Sequence, residues 1–266
     1  MTSHRTASPD GSPARPLSLV GWLAAAVAAL AVVTWQVLVQ GPLTALDWPV
    51  HALVDPRQPE GPLLALAVAV ARLGQRLVTV PLLVGLGLWA VLRGNGPRPI
   101  LAVLTGLGSL AVMGTLLKVA VGRTPPVLGV DVVAPGWGNV VDWAGAALLS
   151  GAGSYEGYVS FPSGHSANAA LTYPLAAWLL FGGSGLFPHP RRLRFALGFS
   201  LVPVAAVGTM MTVLDYHWLS ESLGGWLLGA VVLLTARLVL GPGSRAGSPG
   251  RGGNGRVLAG GPSGKG

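Results

Sequence analysis

Long apolar runs separated by short polar turns set the organisation of this chain. Six of them approach the ~20 mostly apolar residues that carry a helix across a bilayer: residues 17–38, 78–92, 100–121, 166–181, 195–214 and 222–240. The pattern predicts an all-α, polytopic membrane protein, a bundle of six transmembrane helices with short interfacial helices. Residues 78–92 are short for a span. The apolar stretch before them, 62–71, is cut off by Arg72, Gln75 and Arg76. Holding an arginine at mid-bilayer costs ~2.5 kcal/mol or more. Residues 62–71 and 43–54 are therefore expected at the interface, with Arg72 and Arg76 near the headgroups.

Composition agrees with the pattern. Hydrophobic residues make up 51% of the 266 and charged residues 10%, against about 25% charged in soluble domains. Cysteine is absent, which removes disulfides and thiolate metal sites. The polar segment 1–16 carries Arg5 and Arg15. The apolar run after it exceeds a signal peptide's core of about 7–15 residues, so it is expected to stay as the first span. Residues 241–266, rich in Gly, Ser and Arg, read as a disordered tail, as do residues 1–16, and residues 17–240 read as one membrane domain.

Charge orients the bundle. Six spans leave both termini on one side, together with the turns at 93–98 and 182–194. That side holds twelve of the 17 basic residues and, in Asp10, one of the nine acids. By the positive-inside rule it is cytoplasmic. The opposite side, with the loop 122–162, then faces outward.

Polar residues of a particular kind gather at that outer face. Lys118 ends the third span and Arg123 follows it. Ser163, Gly164 and His165 open the fourth. Asp215, His217 and Glu221 straddle the entry to the sixth. These pieces suit a phosphate. A phosphoryl group in transfer spreads charge over its equatorial oxygens, which cations and backbone N–H groups stabilise. Lys118 and Arg123 supply cations. Ser163 and Gly164 supply amides at a helix N-terminus. His217 can attack phosphorus if Glu221, four residues on and on the same helical face, fixes its tautomer. His165 can protonate the leaving oxygen.

Each residue also has an ordinary explanation. Lys118 can snorkel, Arg123 can be a loop charge, and Ser163 or Ser166 can be a helix cap. His217 beside Trp218 can belong to an interfacial aromatic belt. Taken singly these explanations are the commoner ones. Taken together they would have to place all the groups at one membrane face by coincidence. Asp215 is read as a solvated turn residue.

In this arrangement the chain resembles the type 2 phosphatidic acid phosphatase superfamily, whose signatures are K-x6-R-P, P-S-G-H and S-R-x5-H-x3-D. Phe161-Pro162-Ser163-Gly164-His165 matches the second completely. The first keeps Lys118, Gly122, Arg123 and Pro126 but has Pro125 at the arginine position. The third keeps His217, has Glu221 for the aspartate, and has Met211 for the arginine. The resemblance implies a six-helix bundle with an outward-facing site and a phosphohistidine mechanism without metal or cofactor. His217 would be the nucleophile, His165 the general acid, and Glu221 the orienting carboxylate. Lys118, Arg123, Ser163 and Gly164 would hold the phosphate. Arg72 and Arg76 are candidates for a further cation.

The implied partners are a lipid phosphate or diphosphate and the membrane, with no nucleic acid. The loop 122–160, with Trp137, Trp143, Tyr155 and Tyr158, is expected to rest on the headgroups and gate entry. The missing arginines suggest the alternative of a lipid-phosphate binder or membrane scaffold. A vanadium haloperoxidase is set aside because those enzymes are soluble. A transporter or channel is set aside because no charge is expected deep within a span.

Overall fold

The computed structural model describes residues 18–136 and 159–241. The expected tails, their basic residues, and Trp137, Trp143, Tyr155 and Tyr158 lie outside the described residues. Among those described are eight α-helices: α1 (Leu19–Leu38), α2 (Asp47–Val54), α3 (Gly61–Arg72), α4 (Arg76–Leu92), α5 (Arg98–Val121), α6 (Gly164–Phe181), α7 (Pro190–Val213) and α8 (Leu219–Leu240).

Local sequence sets their ends. Ser18 caps α1 by accepting the Gly21 N–H, and Ser163 caps α6. Both satisfy first-turn donors that have no acceptor within the helix. Pro190 begins α7, where its missing N–H costs nothing. Gly122 ends α5 in the left-handed region at φ 57°, a conformation glycine adopts without steric penalty.

Each of the six expected spans is a helix. By length and hydropathy α1, α5, α7 and α8 suffice alone to cross a membrane. The other two show what a linear apolar count misses. α4 reaches span length only with α3, to which it is joined through a 41° bend. The separate interfacial helix expected at 62–71 is thus the first limb of a broken element. It packs along α7 through Ala67 and Ala71 against Val207, Met211 and Leu214. Arg72 and Arg76 lie at the break.

α6 carries His165, Asn168 and Thr172, so its hydropathy is lower. It packs against α4, α5, α7 and α8 and is buried nearly throughout. A helix sheathed by protein meets little lipid and tolerates polar residues, provided they find partners. The outer helices show the opposite pattern. Trp22, Val32 and Trp35 on α1, and Phe195, Phe199 and Leu201 on α7, are exposed, as a multi-pass membrane protein requires of its lipid-facing surface.

The main core lies between α6 and α8, with Leu171, Leu175, Leu179, Leu228 and Val232 joined by Leu83 of α4 and Val103 of α5. The α6–α8 approach depends on missing side chains. A Cβ on Gly225 would come 2.5 Å from the Ser163 carbonyl oxygen, and one on Gly229 would come 2.4 Å from the Ala170 Cβ. Close backbone approach at small residues is how membrane helices gain packing energy, since lipid is as apolar as leucine.

Candidate active site

The ends of α5, α6 and α8 and the start of α4 surround a cavity of about 300 Å³, lined by Arg76, Thr115, Lys118, Ser160, Gly164, His165, Asn168, Tyr216 and His217 among others. Both histidines expected to carry chemistry therefore open on the same space.

His217 is held in the turn between α7 and α8. Asp215 enters that turn at φ 57°, and the His217 backbone N–H donates to the Met211 carbonyl at 3.1 Å. Its imidazole Nδ1 lies 2.9 Å from Glu221 Oε2 and 3.1 Å from Ser160 Oγ. The Ser160 hydroxyl and the Trp218 backbone N–H also donate to Glu221 Oε2. Glu221 is fully buried. A carboxylate so held places the proton on Nδ1 and leaves the Nε2 lone pair unprotonated, the form a nucleophilic imidazole needs. The expected His217–Glu221 pair thus forms, with His217 just before α8 and Glu221 in its first turn. Ser160 joins it unforeseen, as no spacing in the sequence links Ser160 to either partner.

His165 sits in the first turn of α6, with Gly164 before it. The N–H groups of this turn have no acceptor within the helix, and they lie at the positive end of its dipole. Ser163 is placed otherwise. Its amide donates to the Glu221 carbonyl at 3.0 Å, its hydroxyl accepts from Ser166 Oγ at 3.1 Å, and it is fully buried. Ser163 couples α6 to α8, while Gly164 and His165 meet the cavity.

Lys118 lines the cavity and donates from Nζ to the Val159 carbonyl. Arg123 does not reach the cavity. It is fully buried, and its guanidinium donates to Asp131 at 2.7 and 2.8 Å, to Asp47 at 2.8 Å and to Ser220 Oγ at 2.8 Å. It also stacks 5.2 Å from the Trp218 ring centre. Burial works against its charge, but the bond to Asp131 and the carboxylates of Glu221, Asp47 and Asp131 outweigh burial and raise its pKa. Of the two arginines flanking the α3–α4 break, Arg76 lines the cavity and Arg72 does not. Pro125 lines the cavity without a charge, and Met211 is buried in an apolar cluster.

One expectation at the turn needs correction. Asp215 is not solvated. It is 5% exposed and pairs with His51 Nδ1 at 2.9 Å. Burial pushes its carboxyl above the usual range, against the pull of His51. Trp218, beside His217, is 1% exposed. It donates from Nε1 to the Thr124 carbonyl at 2.8 Å, and its ring packs on Trp48 and His51. Neither partner of Asp215 or Trp218 is near in sequence.

Comparison with known proteins places this arrangement. Phosphatidylglycerophosphatase B of Bacillus subtilis (strain 168) is 30% identical over 83 residues, 31% of this chain. The match spans 40% of that relative's length. A crystal structure of a transmembrane PAP2-type phosphatidylglycerolphosphate phosphatase from Bacillus subtilis superposes with a TM-score of 0.62 at 23% identity. That alignment covers 80% of this chain and 93% of the other, and it establishes the shared fold. The PAP2 superfamily model matches residues 99–242, more than half of the chain and all three signature regions. The chain belongs to the PAP2 superfamily.

Proposed function

We propose that this protein is a membrane lipid phosphatase acting through a phosphohistidine. The observation that carries the reading is the meeting of His165 and His217 at one cavity, with His217 tethered by its far nitrogen to a buried carboxylate. His217 Nε2 attacks phosphorus, and the bond from phosphorus to the lipid oxygen breaks. Protonated His165 gives its proton to that oxygen. Water then attacks the phosphohistidine, neutral His165 takes up the water's proton, and inorganic phosphate leaves with His217 restored. Lys118 and the amide of Gly164 face the phosphoryl oxygens. Glu221 balances the charge that develops on the His217 ring.

The names of the similar proteins favour phosphatidylglycerophosphate over phosphatidate or a polyprenyl diphosphate. The charge asymmetry read from the sequence favours an outward-facing site with both termini cytoplasmic. The headgroup enters the cavity while the tails stay in the bilayer.

Phosphate release from these three lipids by purified protein, beside His217→Ala and His165→Ala, tests the reading. Release from at least one lipid, lost in both variants, supports it. Turnover that survives loss of His217 rules out the phosphohistidine. No release from any lipid favours the binder or scaffold, a reading suggested by Pro125 and Met211. A reporter fused after Gly266 tests orientation and should remain cytoplasmic.

A further inference from the structure

The number of cations facing the cavity is small for the task. A phosphoryl group in transfer carries more negative charge than one ammonium balances, and fixed cations are the usual means of holding it. Arg123 is committed to Asp47, Asp131 and Ser220. Pro125 and Met211 have no charge. Among the described residues that line the cavity, the lysine and arginine side chains are those of Lys118 and Arg76, and the guanidinium is the one that stays charged when buried.

The chain goes to some length to put Arg76 there. α3 and α4 together have the length and hydropathy of one span, and the 41° bend interrupts it between Arg72 and Arg76. An arginine within a span is costly, and such residues face a polar cavity or a partner. Broken helices recur in membrane proteins where backbone lines a cavity. This break is also fixed in place. Gly74 lies so close to the first turn of α6 that a Cβ on it would come 2.5 Å from the His165 carbonyl oxygen. The Tyr173 hydroxyl of α6 donates to the Leu73 carbonyl at 3.0 Å. The residue that presents Arg76 is thereby tied to the helix that presents His165. Arg72, four residues earlier, lines an apolar cleft on the other side of the bend.

We infer that Arg76 is a phosphate-holding residue of this site, delivered by the broken α3–α4 element, and that with Lys118 it supplies the fixed positive charge for the substrate headgroup. This rests on the phosphatase reading for its catalytic consequence, but the binding of an anion by Arg76 can be measured separately. A guanidinium offers paired donors to a phosphoryl group that an ammonium does not match.

The experiment compares wild type, Arg76→Ala, Arg76→Lys and Arg72→Ala in detergent. Inorganic phosphate affinity is read calorimetrically, and kcat and KM are read on phosphatidylglycerophosphate. Loss of a charge-assisted pair should weaken phosphate binding and raise KM by about 10- to 100-fold in Arg76→Ala. Arg76→Lys should recover part of both, and Arg72→Ala, which removes the same charge outside the cavity, should match wild type. Arg76→Ala or Arg76→Lys binding phosphate as tightly as wild type overturns the inference, as does an equal loss in Arg72→Ala. If wild type turns over no lipid, the phosphatase reading fails. The affinities for inorganic phosphate still decide the role of Arg76, and a wild type that binds no phosphate overturns it.

Discussion

Two buried polar clusters flank the first turn of α8, and adjacent residues anchor them. Ser220 belongs to the first, with Arg123, Asp47 and Asp131; Glu221 belongs to the second, with His217 and Ser160. The first is closed. Arg123 donates to Asp47, Asp131 and Ser220, while Asp47 also accepts from the Ser220 N–H at 2.9 Å and from its hydroxyl at 2.6 Å. The second is closed on one side only. Glu221 and Ser160 engage Nδ1 of His217, and His217 is among the residues that line the cavity. A buried charge whose bonds are all met within the protein holds structure together. A buried group with one edge committed and the other open is prepared for a ligand. Charge and motif position alone would have placed Arg123 among the second kind.

The largest effect is expected at His217. His217→Ala should lower phosphate release by ~10⁴-fold or more, as nucleophile removal does elsewhere, with the unfolding midpoint little changed. Residual turnover near wild type would dissolve the contrast. Glu221→Gln comes next, because an amide can donate to Nδ1 and stabilise the wrong tautomer. A kcat loss on the order of 10²- to 10⁴-fold is expected, and little change in kcat would show that tautomer control is not its role. The closed cluster should respond in stability. Arg123→Ala leaves Asp47 and Asp131 as buried, uncompensated carboxylates and should cost ~3–5 kcal/mol, read from unfolding in detergent. A stable variant with raised KM alone would move Arg123 into the site.

Ser160→Ala sharpens the contrast more gently. Glu221 loses one of its donors, so kcat should fall a few-fold and stability by ~1 kcal/mol; loss of all activity would make Ser160 a participant. Asp215 gives the smallest effect, and it depends on pH. Its native pKa is raised above 3.8, so the folded protein binds this proton more tightly than the unfolded chain. Wild type should gain stability relative to Asp215→Asn as pH falls through the raised value, with the gain complete below the ordinary one. Unfolding midpoints of the two proteins at neutral and acid pH check the sign; a difference that stays constant would show that this carboxyl does not titrate as described.

What the sequence showed was what lies close together along it. Apolar runs located the six long helices because each run is continuous. The His217–Glu221 pair was visible because only four residues separate them, although His217 stands just before α8 and Glu221 reaches back to it from the first turn. Lys118, Gly164 and His165 were visible because helix ends mark the level at which polar groups collect. The misplacements all involve a partner far away in the chain. Arg123 is held away from the cavity by Asp131, eight positions on, and by Asp47, 76 positions earlier. Asp215 is buried by His51, 164 positions earlier, and the Ser163 amide is taken by the carbonyl of Glu221. The apolar runs of α3 and α4 were read as two separate segments because two arginines interrupt them; in the fold they are a pair joined through a bend, and of the two arginines Arg76 lines the cavity.

The seam between α6 and α8 sets a gauge for the chemistry. Its spacing is fixed by side chains that are not there, at Gly225 and Gly229. The helices it clamps begin with His165 on one side and follow directly from His217 on the other. A single methyl group at Gly225 would act as a shim, forcing against the Ser163 carbonyl and prying apart the two imidazoles. It would alter no functional group. It would change only the gap across which, in the proposed mechanism, His165 and His217 address the same phosphorus ester.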